Sequence, residues 1–106
     1  MTTARTTRRI RRTVALHHFE AVQILAAACG YAAGLYGSTL YGKGADVDIL
    51  LVPFPHARAN RGEERLLRGL LKLGAVCVLT FTPTDGFLPV EVITSEGYSL
   101  DLHIHR

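Results

Sequence analysis

Asp46 and Asp48 stand one residue apart at the head of an apolar run, Asp-Val-Asp-Ile-Leu-Leu-Val, that reads as a β-strand. Successive strand residues point to opposite faces, so the two carboxylates share a face while Val47 and Ile49 point away. Like charges this close repel and lose hydration unless a cation sits between them, and a pair of hard oxygen ligands suits Mg2+. Just upstream come Gly37 and Ser38. Glycine lets a ligand approach the backbone, and Ser38 is placed to cap a short helix running to about Lys43, whose first turn presents unpaired amide N–H groups. Such a turn is an anion site, most naturally for phosphate, with Gly37, Ser38 and Lys43 as its candidate residues. A phosphate cradle followed closely by a metal-binding Asp-x-Asp describes a pocket for a metal-bound nucleoside triphosphate.

A further carboxylate lies near the C-terminus. In the run Tyr98 to His105, Leu100, Leu102 and Ile104 alternate with Asp101, His103 and His105, so one face enters a core and the other presents a carboxylate and two imidazoles. Asp101, His103 and His105 could form a metal site of their own, but three ligands from one strand are spread too far to close around one ion. His103 or His105 fits better as a substrate contact. Glu91, on the preceding strand, is a reserve carboxylate.

Gly37-Ser38, a link of seven residues, Asp46-Val47-Asp48 and the later Leu-Asp-Leu-His-Ile together resemble the nucleotidyltransferase superfamily of DNA polymerase beta. The signature of that superfamily is Gly-Ser or Gly-Gly, a spacer, an Asp-x-Asp strand and a third carboxylate on a neighbouring strand. The link is short for the family, and Ala45 stands where many members carry Ser. The resemblance implies two Mg2+ ions (Mn2+ would serve), bridged by Asp46 and Asp48, with Asp101 holding the ion that acidifies an attacking hydroxyl. It implies transfer of a nucleoside monophosphate from a nucleoside triphosphate to a hydroxyl on protein or RNA, with release of pyrophosphate. It is the minimal members that the chain resembles, some of which modify a partner toxin and others transfer RNA. The alternative is a non-catalytic nucleotide- or nucleic-acid-binding module on the same fold, including an antitoxin-like partner.

The elements that must position these residues are legible in the periodicity. Leu16, Phe19, Val22, Ala26 and Cys29 recur at helical steps between Thr13 and Cys29, with Gly30 as the stop; the apolar half from Ile24 onward is expected to be buried. His17 and His18 read as surface histidines. Tyr31 to Gly37 and Asp46 to Val52 read as strands, the second ended by Pro53 and Pro55. The loop beyond, to Ala59, carries His56 and Arg58 as candidate base or phosphate contacts. Asn60 and Glu63 suggest a capping box opening a helix with Leu66, Leu67, Leu70 and Leu71 as its buried stripe and Gly74 as its end. Arg61, Arg65, Arg68 and Lys72 share another face. Ala75 to Phe81 reads as a strand, followed by a turn at Thr82 to Gly86, and Leu88 to Thr94 with Tyr98 to His105 as a hairpin. The expected fold is an α/β sandwich: a mixed sheet of about five strands with two helices packed on one face.

At 106 residues the chain is long enough for one core, and its 48% hydrophobic and 20% charged residues are those of a globular protein. Five of its basic residues, Arg5, Arg8, Arg9, Arg11 and Arg12, crowd the N-terminus within a formal net charge of +3. They suggest a flexible basic arm over residues 1–12 ahead of a domain over 13–106, able to contact the phosphates of a nucleic-acid acceptor or to act as a solubilising tail. Cys29 and Cys77 sit in apolar segments as buried thiols, which points to a reducing, cytoplasmic setting. No apolar stretch is long enough to span a membrane. A small core leaves room for a dimer or partner protein in recognising the acceptor.

Overall fold

In the computed structural model, residues 12–36, 46–55 and 59–106 are described. Two helices, α1 (Arg12–Ala28) and α2 (Ala59–Lys72), and five strands, β1 (Tyr31–Tyr36), β2 (Asp46–Pro53), β3 (Ala75–Thr80), β4 (Phe87–Thr94) and β5 (Ser99–His105), follow in the order α1-β1-β2-α2-β3-β4-β5. The strands form one mixed sheet, ordered β1-β2-β5-β4-β3, in which β2 and β5 are parallel and the other pairs antiparallel.

Sequence explains which side of the sheet is covered. Val47, Ile49 and Leu51 of β2, Leu100, Leu102 and Ile104 of β5, and Leu88, Val90 and Val92 of β4 are all buried, and each set alternates with residues facing the other way. The helices close over this apolar face: α1 lies on β1 and β2, α2 on β3, and the two touch each other. Val22, Ala26 and Cys29 from α1 and Leu66 and Leu70 from α2 complete the core. The opposite face carries no helix among the described residues.

The helices approach closely through glycine. A Cβ on Gly62 would lie 2.3 Å from the Cys29 carbonyl oxygen, and one on Gly69 would lie 2.4 Å from Leu25 Cδ1. Gly30 and Gly74, the expected stops, have φ of 91° and 95°, the left-handed geometry that ends a helix. The turn before β4 places Asp85 at φ 50° and Gly86 at φ 79°, the paired positive values of a tight hairpin turn, closed by bonds between Thr84 and Phe87.

Four expectations change at the level of elements. The far half of α1 is buried on one side alone: Ile24 is 73% exposed while Ala26 is buried, because the helix lies on a single sheet and its outer face meets none of the described elements. Leu71 is exposed for the same reason, so the stripe of α2 is Leu66 and Leu70 with Leu67 partly buried. Asn60 lies inside α2, which starts at Ala59, and Glu63 serves the C-terminus instead, taking Arg106 Nη2 at 2.7 Å and Nε at 3.1 Å. His18 is half-buried rather than the expected surface residue: its side chain is 18% exposed, with Nε2 3.4 Å from Glu96 Oε2 and its ring edge-on to Tyr98. Burial lowers its pKa below the usual histidine value, His17 adding to that effect and Glu96 opposing it. On the basic face of α2, Arg68 pairs with Glu64 one turn back.

Candidate functional site on the open sheet face

Register brings the candidate residues together. Across four adjacent strands, Tyr36 pairs with Asp48, Asp48 with Asp101, and Asp101 with Glu91. Register partners point to the same side of a sheet. Tyr36, Asp48, Asp101 and Glu91 therefore form one row on the face away from the helices. The parallel pairing of β2 with β5 decides this. It sets Asp48 beside Asp101, strands about 4.8 Å apart, although 53 positions separate them in sequence.

Asp46 opens β2 at the register position of Ser99, two residues before Asp48. Its side chain lies outside the described residues, as do Gly37, Ser38, Lys43, His56, Arg58 and the arm arginines Arg5, Arg8, Arg9 and Arg11. Glu91 is 9% exposed and accepts a hydrogen bond from Ser99 Oγ at 3.1 Å, which ties it to its own hairpin.

Sequence reasoning does not pair Tyr36 with His103, and the fold does. The Tyr36 hydroxyl and His103 Nδ1 share a hydrogen bond that spans β2, and their rings meet edge to face with centroids 5.5 Å apart. Burial first, then the negative charges of Asp48 and Asp101, push the Tyr36 pKa up to about 12, so it stays a neutral phenol beside the carboxylates. The alternation of β1 is the signal available in the sequence, since Tyr36 ends that strand on the side opposite the buried Tyr31. His105 packs edge-on against Phe87 at 5.0 Å and does not join His103 around an ion.

Two concavities flank His103. One, of about 240 Å3, is bordered by Phe81, Pro89, Glu91, Asp101 and His103. The other, of about 340 Å3, is bordered by Tyr36, Leu50, Phe87 and His103. The neighbouring carboxylates Asp48 and Asp101 have the hard-oxygen chemistry that fits Mg2+. Among the described residues, no three His, Cys, Asp or Glu side chains gather closely enough to hold an ion alone.

Comparison of the fold with solved structures finds RNA terminal uridylyltransferases. The chain aligns with a cytoplasmic RNA terminal U-transferase at a TM-score of 0.68 and 8% identity, over 88% of this chain and 28% of the other. It aligns with the RNA terminal uridylyltransferase Cid1 at a TM-score of 0.71 and 9% identity, over 88% of this chain and 31% of the other. The fold is that of a nucleotidyltransferase. The chain spans about three-tenths of the length of each. No protein-family model matches the sequence, and no curated protein matches it. No described helix is long and apolar enough to cross a membrane.

Proposed function

We propose that the protein is a metal-dependent nucleotidyltransferase that moves a nucleoside monophosphate from a nucleoside triphosphate to a hydroxyl acceptor on RNA or protein, releasing pyrophosphate. The observation that carries this reading is the pairing of Asp48 with Asp101 on parallel strands, on the open face of a nucleotidyltransferase fold. In the proposal Asp46, Asp48 and Asp101 hold two Mg2+ or Mn2+ ions. Bound there, such ions offset the charge of the triphosphate and acidify the attacking hydroxyl. Gly37, Ser38 and Lys43 grip the outer phosphates, because the link that carries them joins β1 to β2 directly ahead of Asp46. Asp101 orients the acceptor oxygen, and the neutral Tyr36 phenol adds no further negative charge to a row already rich in it. The arm arginines Arg5, Arg8, Arg9 and Arg11, together with Arg12 at the start of α1, draw in a nucleic-acid acceptor.

The test is incubation of the purified protein with each labelled triphosphate and Mg2+, offering RNA, DNA and protein fractions in turn. Label transferred to one fraction supports the reading and identifies the acceptor. Binding of triphosphate with no transfer to any fraction would leave a nucleotide-binding module and refute the enzyme.

A further inference from the structure

The cavity bordered by Tyr36, Leu50, Phe87 and His103 has no carboxylate, lysine or arginine among its described lining residues, yet it opens on the same face as Asp48 and Asp101. Its walls come from four different strands, β1, β2, β4 and β5. Leu50 and His103 are register partners, one same-face step beyond the Asp48–Asp101 pair, a distance of about 6.8 Å along the strands. Two of its walls are braced: Tyr36 is tied to His103 by its hydroxyl, and Phe87 leans against His105. Three ring-bearing residues around one aliphatic floor present π faces and edges, which suit a flat heteroaromatic ring better than a flexible chain. At about 340 Å3 the space lies in the range of small-molecule sites and takes a purine or pyrimidine with room for its sugar.

We propose that this cavity is a nucleobase subsite: it stacks a base on the Tyr36–Phe87–His103 walls and thereby suspends the attached ribose over Asp48 and Asp101. The inference deepens the nucleotidyltransferase reading and rests on it for the role of the carboxylates, but the stacking itself needs neither metal nor triphosphate. The base belongs either to the donor triphosphate or to the terminal nucleotide of the acceptor. A ring placed one step from the carboxylates leaves a sugar-length gap to them, which both sources would bridge. Sequence tolerance follows as well, because stacking on aromatic walls accepts any base.

Two variants address the cavity from opposite directions. Phe87→Ala removes a wall. Gly34→Leu fills the space beside it: Gly34 is the register partner of Leu50 and shares the face of Tyr36, and a Cβ added there would meet nothing within 4 Å, so the new side chain enters open space without disturbing the core. The probes are adenosine, uridine, tripolyphosphate with Mg2+, and ATP or UTP with Mg2+, each titrated by calorimetry and by following the Phe87 and His103 NMR signals. Adenosine or uridine alone should shift those signals in the wild type, and both variants should weaken that binding about tenfold while tripolyphosphate affinity stays unchanged. If the donor supplies the base, ATP and UTP lose the same factor; if the acceptor does, ATP and UTP are unaffected and adenosine still binds alongside tripolyphosphate. Nucleosides that leave both signals unmoved, or that bind folded Gly34→Leu as well as wild type, overturn the subsite. Failure of tripolyphosphate to bind the wild type at all would instead count against the nucleotidyltransferase reading, leaving the nucleoside result to stand by itself.

Discussion

Within the row Tyr36, Asp48, Asp101 and Glu91, the proposal gives neighbours of the same charge different roles because their surroundings differ. Glu91 is buried and accepts a hydrogen bond from Ser99, which ties it to the β4–β5 hairpin. Glu91→Gln should cost about 1 kcal/mol of stability, the worth of a hydrogen bond to a group that keeps its shape, and should leave transfer within about tenfold of wild type. Chemical denaturation and a transfer assay on the same preparation check both halves. Asp48 and Asp101 are legible as candidates because Asp-x-Asp and apolar-Asp-apolar each betray a strand with one polar face. The Tyr36–His103 pair is not, since a bond reaching diagonally over an intervening strand depends on register, which local alternation does not encode. Ser38 carries its own expectation. Nucleoside triphosphate with Mg2+ should raise the melting temperature by mass action, and Ser38→Val should reduce that rise if the phosphates sit at its amide turn.

At the level of elements, periodicity and glycine stops locate the helices nearly to the residue, but not how deeply they sink. Ile24 and Leu71 look like core in sequence and are exposed, because a helix on one side of one sheet buries a single stripe however apolar its remaining residues. Gly62 and Gly69 look like weak points inside a helix and are the places where α2 meets α1. Gly62→Ala should destabilise by about 2 kcal/mol, since the obstacle is the Cys29 carbonyl and backbone must move. Gly69→Ala should cost much less, because Leu25 can turn aside and the helix gains alanine's better propensity. Thermal melts of the two variants side by side separate these cases. His18 links α1 to the β4–β5 turn through Glu96 and Tyr98, and its lowered folded pKa means that the unfolded chain takes up its proton more readily. The stability from neutral His18 is full above about pH 6.5 and is lost as pH falls from there through the lowered folded value. His18→Gln should flatten the stability profile across that window, as urea unfolding at a series of pH values would record.

For the whole molecule, five arginines stand among the first twelve residues of a chain whose open sheet face carries a row of carboxylates, and the proposal assigns attraction to nucleic acid to the first and chemistry on nucleotide to the second. The first described helix begins at Arg12, and removing residues 1–11 should leave the thermal melt unchanged and lower the slope of nucleic-acid binding against salt, each lost phosphate contact releasing one fewer counterion. An unaltered slope would reduce the arm to a solubilising tail. The sheet order itself is readable only in part: the β4–β5 hairpin follows from a short turn, whereas the parallel neighbourhood of β2 and β5 joins segments far apart in sequence and enters through the family resemblance. That neighbourhood also carries the central claim. The most direct measurement compares label transfer from a nucleoside triphosphate by wild type, Asp101→Asn and Asp48→Asn, with triphosphate binding measured on each. Asp101→Asn should lower the rate about a thousandfold while triphosphate binding is largely kept, and Asp48→Asn should abolish transfer; transfer at the wild-type rate by both variants would contradict the account.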